Sequence, residues 1–233
     1  MNNFTKTERE ILILTNVYLL LADRIPLNDG TFTELDLGCG KGGLTLGLAS
    51  LYPQRRILAA DIMLGRLHKV EKKLRRSRCG ENVFLLRSEA NMLLGRLLPD
   101  HCIHRLHLLC PDPWPKLRHS GRRLVSSQFM TSLHRVLKPG GIFHFSTDDP
   151  EYMAAVVRLV EESGFFEEAS PSAIADIAHI KTEFEQDWLD EGRTVPHRVW
   201  KTLQALPAGK TLLKKGKNTI SGTKKSGNAR KCF

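Results

Sequence analysis

The residues with the clearest chemical potential form a short proline-rich run. Residues 110–116 read CPDPWPK and combine a carboxylate, Asp112, with an indole, Trp114. The three prolines of this run fix the backbone, so both side chains are held with little conformational freedom. A group that must orient a reactant needs such rigidity. A merely rigid loop is the other interpretation, and the charges that follow argue against it.

A dense group of cations follows this run. Residues 116–123 read KLRHSGRR and contain four Lys or Arg residues and one His. Cations at this density bind phosphates, and a neighbouring indole offers a surface on which a base can stack. Most basic runs are only solvated helix faces, so the proximity of Trp114 decides the interpretation. The segment predicts RNA or another nucleic acid as substrate, with contacts from Lys116, Arg118, His119, Arg122 and Arg123.

A glycine-rich turn points to a small-molecule ligand. Residues 38–43 read GCGKGG and follow a strand-like run, Thr33–Leu37, so the backbone can approach a ligand at a helix N-terminus. Gly38, Gly40 and Gly43 also fit the G-x-G-x-x-G spacing of dinucleotide-binding enzymes. The spacing alone leaves a nicotinamide cofactor and S-adenosylmethionine open.

Acidic residues at the predicted strand ends separate these two ligands. Asp36 precedes the first glycine of the turn, where it would repel a pyrophosphate and attract the sulfonium and ammonium groups of S-adenosylmethionine. Asp61 closes the next strand and can accept both ribose hydroxyls of either cofactor. Glu89 follows the third strand and can approach the adenine amine, although a solvent-exposed glutamate is an equal alternative. The acids therefore favour a methyl donor.

These groups need a sheet that brings strand ends together. Short β-like runs alternate with helical patterns, which is typical of a doubly wound α/β fold that binds ligands outside the carboxyl ends of its strands. The predicted strands are Thr33–Leu37, Arg56–Ala60, Asn82–Leu86, Ile103–Leu109, Ile142–Ser146, Phe165–Ala169 and Val195–Leu203. The predicted helices are Leu64–Arg76, Ser126–Leu137 and Glu151–Ser163, and residues 138–141 (KPGG) end the second helix and turn into the next strand. We expect a mostly parallel, seven-stranded sheet with helices on both faces.

The two ends of the chain differ from its centre. Ile11–Ala22 is apolar but shorter than the roughly 20 residues of a membrane span, so we expect an amphipathic N-terminal helix and no membrane association. Residues 207–233 hold eight of the 35 basic residues and no acid, and account for most of the net charge of +10. Such a tail can contact phosphates or simply aid solubility. We divide the chain into an N-terminal helix and turn (1–30), one α/β domain (31–206) and a disordered basic tail (207–233).

Histidine and cysteine usage gives no sign of a metal centre. His101, His104 and His107 have a suggestive spacing, but a strand alternates their faces, so ordinary histidines are expected and no metal. Cys39 and Cys110 lie near the predicted site without an identifiable activating base, and we interpret both as packing positions. The five cysteines lack paired spacings, which fits a reducing cytoplasm.

Taken together, the motifs resemble those of the tRNA (guanine-N(7)-)-methyltransferase family. The PDPWPK run with its RHSGRR continuation is the specific part, whereas the glycine turn is common to class I methyltransferases. Residues 145–148 (FSTD) and 182–185 (TEFE) complete a pattern that extends from about residue 33 to residue 204. The resemblance implies a Rossmann-like class I methyltransferase, S-adenosylmethionine as methyl donor and S-adenosylhomocysteine as product. It also implies tRNA as the partner and nitrogen-7 of a guanine, in the variable loop, as the acceptor.

The resemblance also implies roles for individual residues. Donor contacts are implied for Asp36, Asp61, Glu89 and Asp112, beside Gly38 and Gly40 of the glycine turn, and Asp112 also matches the proposed active-site acid. Substrate contacts are implied for Lys116, Asp148, Thr182, Glu183, Phe184 and Glu185, and RNA contacts for residues 118–123. Asp36 and Asp61 stand where the family often has Glu, and Glu89 where it often has Asp, so the reach of each carboxylate differs.

Three other functions stay open on the sequence. Another class I methyltransferase would modify a different nucleobase or a protein. A nicotinamide-dependent oxidoreductase would use the same glycine turn, and Asp36 argues against it. A non-catalytic RNA-binding protein would keep only the fold, which the intact acids disfavour. Whether the protein is a monomer or a homodimer is not indicated.

Overall fold

The computed structural model describes residues 11–13, 24–113 and 123–203, and an eight-stranded sheet forms its centre. The strands are β1 (Ile11–Ile13), β2 (Thr33–Leu37), β3 (Arg56–Asp61), β4 (Val83–Arg87), β5 (Ile103–Leu109), β6 (Leu137–Ser146), β7 (Phe166–Glu168) and β8 (His197–Thr202). They lie in the order β1-β4-β3-β2-β5-β6-β8-β7. The strands from β1 to β6 pair in parallel, and β8 is antiparallel to β6 and β7. The seven predicted strands are all present, and β1 is an additional one.

The additional strand lies where the sequence predicts a helix. Ile11–Ile13 pair in parallel with Leu85, Leu86 and Arg87 of β4 at the edge of the sheet. The helix prediction is wrong for these residues, because a short apolar run does not distinguish a helix from an edge strand and Ile favours strands. Residues 14–22, the rest of that predicted helix, and the predicted tail at 207–233 lie outside the described residues.

Helices cover both faces of the sheet. They are α1 (Gly43–Leu51), α2 (Leu64–Arg76), α3 (Ala90–Met92) with its π-helical continuation Leu93–Leu97, α4 (Ser127–Val136), α5 (Pro150–Ser163) and α6 (Glu183–Asp190), and a short 3-10 helix at Pro171–Ile174. The α1 and α2 side chains form one buried core, and those of α4, α5 and the π-helical turn form a second. Because both faces are covered, β2 and β3 are buried at every position. No helix in the described ranges is long and apolar enough to cross a membrane.

Strand β6 differs from its prediction. It begins at Leu137 instead of Ile142, so the segment 138–141 lies within the strand and is not a turn before it. Gly140 has a φ of +74°, and the pairing with β5 shifts between Ile103 and Arg105. The Pro and Gly residues therefore produce a bulge in the strand. Helix α4 ends at Val136, one residue before the predicted end.

Candidate active site

A cleft opens where the carboxyl ends of β2, β3, β4 and β5 meet, the edge at which such sheets bind ligands. It has a volume of about 280 Å³, and Gly38, Asp61, Glu89 and Asp112 all line it. Its remaining polar and apolar surface includes Ile62, Arg66, Ser88, Leu109 and Leu124. The structure thus brings together four residues that the sequence predicts to contact a methyl donor. The additional lining residues were missed, because only their nearness to strand ends marks them in the sequence.

The glycine turn lies at one end of this cleft and is held from the sheet side. The amides of Gly38 and Cys39 both donate to the carbonyl of Ala60, at 2.8 and 2.9 Å. Gly38 and Gly40 have φ values of +77° and +55°, a region that favours glycine. A Cβ atom on Gly38 would meet nothing within 4 Å, and one on Gly40 only the Gly38 carbonyl oxygen at 3.8 Å. The turn therefore leaves open space in which a ligand can approach the backbone.

Asp61 is fixed at the end of β3 by three hydrogen bonds. Its Oδ1 accepts from the Met63 amide at 2.7 Å, and its Oδ2 accepts from the Gly40 amide at 3.1 Å and from Arg66 Nη1 at 3.4 Å. The residue is only 4% exposed. A carboxylate can accept about four hydrogen bonds. While these three bonds persist, Asp61 can accept one more, from a single ligand hydroxyl.

Asp36 lies beneath the glycine turn instead of lining the cleft. Its side chain is buried, and its Oδ2 accepts a hydrogen bond of 2.5 Å from the Thr45 hydroxyl. Burial raises the pKa of Asp36 to about 6, against the opposing effects of the Thr45 hydroxyl and of His107. The carboxylate is therefore charged at pH 7 and becomes neutral in mildly acidic solution. The motif did not reveal Thr45, whose position depends on how α1 leaves the turn.

Glu89 caps the N-terminus of α3 at the rim of the cleft. Its Oε2 accepts from the Met92 amide at 2.9 Å and its Oε1 from Asn91 Nδ2 at 3.0 Å. The residue is exposed, so the carboxylate that caps the helix is also accessible to a ligand in the cleft. Contact with an adenine amine, as predicted, would use acceptor capacity that the cap leaves free.

Asp112 follows a sharp change of backbone direction after β5. Cys110 has a φ of +48°, and its amide donates to the Ser146 carbonyl of β6 at 2.8 Å. This bond anchors the start of the loop, and Asp112 is exposed at the cleft. Burial raises the pKa of the Cys110 thiol to about 11 and that of Cys39 well above its usual range, so both are neutral thiols at pH 7.

Arg123 closes the base of the same loop. Its Nε donates to the Pro113 carbonyl at 2.7 Å, and its guanidinium lies over the Tyr152 ring, 5.0 Å from the ring centre. Arg123, predicted to contact RNA, therefore has a role within the protein. The other predicted residues of this loop lie outside the described residues, namely Trp114, Lys116, Arg118, His119 and Arg122.

The predicted substrate motif at residues 182–185 begins α6 and lies against the glycine turn. The Thr182 hydroxyl caps the helix by accepting from the Glu185 amide at 3.1 Å. Glu183 Oε2 accepts from the Gly43 amide, at the start of α1, at 3.1 Å, and Oε1 pairs with Lys73 of α2. A carboxylate is favourable at a helix N-terminus. A Cβ on Gly43 would lie 2.8 Å from Glu183 Oε2, so glycine is required for this contact between α6 and α1.

The other predicted substrate residues divide into two groups. Glu185 is 5% exposed and accepts from Lys181 Nζ at 2.7 Å and His197 Nε2 at 3.2 Å, so it is engaged within the protein. Phe184 is 42% exposed and packs beside Trp188, with ring centres 5.4 Å apart. Asp148 is half-buried just after β6, at the same edge of the sheet as Asp112. Phe184 and Asp148 are therefore the better placed to meet a substrate.

The three histidines with a metal-like spacing have separate surroundings. Their hydrogen-bond partners are Leu137 for His101, Thr33 for His104, and Glu34 and His144 for His107. Among the described residues, no group of three or more His, Cys, Asp or Glu side chains could hold a metal ion.

Comparison with known sequences adds to this geometry. Residues 31–197 match the profile of a family described as "Putative methyltransferase". A tRNA (guanine-N(7)-)-methyltransferase of Syntrophotalea carbinolica is 35% identical over 163 residues, which cover 69% of this chain and 70% of the relative. A protein of the same name from Paracoccus denitrificans is 36% identical over 166 residues, which cover 71% and 69% of the two chains.

Solved structures share the fold at lower identity. The 16S rRNA methyltransferase KamB superposes with a TM-score of 0.57 at 19% identity, over 84% of this chain and 100% of that chain. The tRNA (m1A58) methyltransferase TrmI from Aquifex aeolicus superposes with a TM-score of 0.51 at 14% identity, over 79% of this chain and 67% of that chain. These similarities confirm the predicted Rossmann-like, class I methyltransferase fold and show the fold alone.

Proposed function

Because this chain belongs to the tRNA (guanine-N(7)-)-methyltransferase family, we propose that it transfers a methyl group from S-adenosylmethionine to nitrogen-7 of a guanine in tRNA. The observation that carries the proposal is the convergence of Gly38, Asp61, Glu89 and Asp112 on one cleft. The cationic run begins at Lys116, four positions after Asp112 in the sequence. The resemblance makes the variable-loop guanine the expected target.

The charge and shape of the cleft suit S-adenosylmethionine. Asp36 and Asp61 would repel a pyrophosphate, whereas they attract a cationic ligand without phosphates. Asp61 is assigned to the ribose and Glu89 to the adenine, with the open space above Gly38 and Gly40 for the backbone contacts. When bound, the ligand supplies an electrophilic methyl group on a sulfonium.

The protein needs to orient the acceptor more than to activate it. Guanine nitrogen-7 has a lone pair and no proton, so no base must act before the attack, and alignment matters most. Asp112 would accept hydrogen bonds from the donor edge of the base and stabilise the positive charge that develops on the ring. Phe184 and Asp148 are assigned to holding the base, while Glu183 and Glu185 act by holding α6 in place.

Recognition of tRNA is assigned to the run of cations at residues 116–122. Lys116, Arg118 and Arg122 would neutralise phosphates, and Trp114 would stack on a base. Arg123 supports this surface through its bond to Pro113. A cytoplasmic location, which the cysteine usage predicts, suits a reaction on tRNA.

A labelling experiment tests the reaction directly. The purified protein is incubated with methyl-labelled S-adenosylmethionine and an unmodified tRNA transcript, and the digested RNA is analysed by mass spectrometry. We expect label in 7-methylguanosine, and none with a transcript whose variable-loop guanine is replaced by adenine. Label in another nucleoside would reject nitrogen-7 of guanine as the target. Absence of label despite binding of S-adenosylhomocysteine would reject tRNA as the acceptor.

The basic tail provides a separate prediction. Deleting residues 207–233 removes eight cations and should weaken tRNA binding and flatten its dependence on salt, because fewer counterions are released. The kcat at saturating tRNA should stay unchanged, since the tail is not assigned to the reaction. A full-length variant with the eight cations replaced by Gln separates the effect of charge from that of length. Unchanged tRNA affinity in both variants would contradict a role of the tail in binding.

A further inference from the structure

Three histidines form a continuous hydrogen-bonded chain between two glutamates, next to the candidate site. His107 Nε2 lies 2.8 Å from Glu34 Oε2, and His107 Nδ1 lies 3.0 Å from His144 Nδ1. His144 Nε2 lies 2.8 Å from His197 Nδ1, and His197 Nε2 lies 3.2 Å from Glu185 Oε1. We call these five residues the histidine chain. It begins on β2, crosses β5, β6 and β8, and ends on α6.

The strand register brings these side chains together on one face of the sheet. His107 and His144 are direct neighbours on β5 and β6, and Asp36 of β2 is the direct neighbour of His107 on the other side. Glu34 precedes Asp36 by two positions on β2, so both point to the same face. His107 is fully buried and His144 is 4% exposed, so water does not supply their hydrogen bonds.

The number of hydrogen bonds determines the number of protons in the chain. An ionised carboxylate can only accept, so each terminal bond takes its proton from a histidine nitrogen. Each of the two bonds between rings needs one further proton. The four bonds therefore require four ring protons, whereas three neutral imidazoles carry only three. The complete chain holds one extra proton, and thus one positive charge shared by three rings.

The charges around the chain agree with this count. Two guanidiniums, one ammonium and four carboxylates are coupled to the chain directly or through its neighbours, namely Arg55, Arg105, Lys181, Glu34, Asp36, Asp176 and Glu185. Asp61, next to Asp36, is paired with Arg66 and does not change the balance. Carboxylates exceed cations by one in this set, so a single imidazolium makes it neutral. An unbalanced charge is costly here because Glu34, Asp36, His107 and His144 are buried.

The positive charge belongs at one of the two ends. Burial lowers the pKa of His144 well below its usual value, and neighbouring cations lower it further, so the middle ring is neutral. Two arrangements then satisfy all four bonds. The imidazolium is either His107, against Glu34, or His197, against Glu185. A shift of one proton within each ring-to-ring bond converts one arrangement into the other without movement of heavy atoms.

We propose that the histidine chain is a positioning element for methyl-donor binding, whose single shared proton keeps Asp36 ionised and holds α6 against the glycine turn. The inference rests on the proposed function, which assigns Asp36 and this turn to the donor. The first link is the neighbouring pair His107 and Asp36. The second link passes from His197 to Glu185 on α6, and from Glu183 of the same helix to the Gly43 amide.

The proposal gives donor binding a defined dependence on pH. As the pH decreases through about 6, Asp36 takes up a proton and the affinity for S-adenosylhomocysteine falls. Below that pH the affinity should change up to about tenfold per pH unit, the slope of one linked proton.

A variant of Glu185 tests the link between the extra proton and donor binding. In Glu185→Gln the amide can donate to His197 Nε2, so the four bonds need only the three protons that neutral rings carry. Calorimetric titration with S-adenosylhomocysteine should show weaker binding, and nitrogen-15 NMR should show three ring protons instead of four. Glu162→Gln is the matched control, since Glu162 is exposed on α5, and it should keep both wild-type results. Unchanged affinity in Glu185→Gln, or four ring protons in that variant, would overturn the proposal.

The proton count has a test that needs neither a variant nor activity. Nitrogen-15 NMR of the imidazoles in the wild-type protein distinguishes protonated from unprotonated ring nitrogens. At neutral pH we expect four protons on the six nitrogens of His107, His144 and His197, with His144 neutral. Three neutral rings, or two imidazoliums, would overturn the inference and leave the proposed function intact. A wild-type protein that does not bind S-adenosylhomocysteine while showing four ring protons would instead reject the proposed function, and with it the role of the chain in donor binding.

Discussion

Replacing Asp112 with Asn is expected to lower kcat by about 10²–10³-fold, the usual effect of removing one group that stabilises charge in a transition state. Asn keeps the size of the side chain and one acceptor oxygen but loses the negative charge. The guanine ring becomes positively charged only as the methyl group is transferred, so the loss falls on the chemical step. The dissociation constant of S-adenosylhomocysteine should change by no more than about tenfold, the effect of one interaction of about 1.4 kcal/mol.

Single-turnover kinetics at saturating tRNA and S-adenosylmethionine measure this step. Asp100→Asn is the matched control, because Asp100 is exposed just before β5, at the opposite edge of the sheet. Asp112→Ala removes orientation as well as charge and should be at least as slow as Asp112→Asn. Near-normal turnover in Asp112→Asn would show that its charge does not stabilise the transition state.

Replacing Asp36 with Asn is expected to weaken donor binding and to stabilise the protein at pH 8. We propose that the buried carboxylate attracts the cationic ligand across the glycine turn, and losing one such charge interaction of about 1.4 kcal/mol should weaken the affinity roughly tenfold. Burial raises the pKa of Asp36 from 3.8 to about 6, so the folded state binds this proton more tightly than the unfolded chain. The ionised group therefore destabilises the fold above about pH 6, by at most about 3 kcal/mol at 1.36 kcal/mol per pH unit.

Urea unfolding at several pH values checks the sign of this effect. The wild type should lose stability relative to Asp36→Asn as the pH rises between about 4 and 6, and the difference should be constant above that interval. Asp29→Asn is a control in which the change in stability should have the opposite sign. The guanidinium of Arg56 lowers the pKa of Asp29, so the ionised carboxylate stabilises the fold. This variant should therefore be less stable than the wild type at pH 8, with unchanged donor affinity. Greater stability of the wild type at pH 8 would contradict the burial cost assigned to Asp36.

The features that the sequence predicted correctly depend on local patterns. The turn at residues 38–43 and the strands around it follow from glycine spacing and short apolar runs. Asp61, Glu89 and Asp112 share a cleft because the carboxyl ends of parallel strands lie at one edge of a sheet. Their grouping could therefore be inferred without knowledge of any side-chain contact.

The features that the sequence did not reveal depend on contacts between distant residues. Glu183 reaches the Gly43 amide across 140 positions, so its link to the glycine turn has no local signature. The histidine chain requires the register of β5 against β6 and of β6 against β8, which a single sequence does not specify. Ile11–Ile13 became a strand because the edge of β4 was available for pairing. The individual roles of the site residues stay predictions.

The hydrogen bond between Arg123 and Pro113 makes residues 114–122, to which we assign the RNA contacts, a segment that can vary independently of the cleft. The chain leaves the described part of the site at Pro113 and returns to it at Arg123, so both ends of the segment are tied to nearly one point. We expect that substitutions, insertions or deletions between these residues can alter which nucleic acid is bound, while the bond from the Cys110 amide to Ser146 still anchors the start of the loop that carries Asp112. Evolution could therefore change the nucleic acid that such a protein binds without moving Asp112, provided that Arg123 and the Tyr152 ring beneath it are kept.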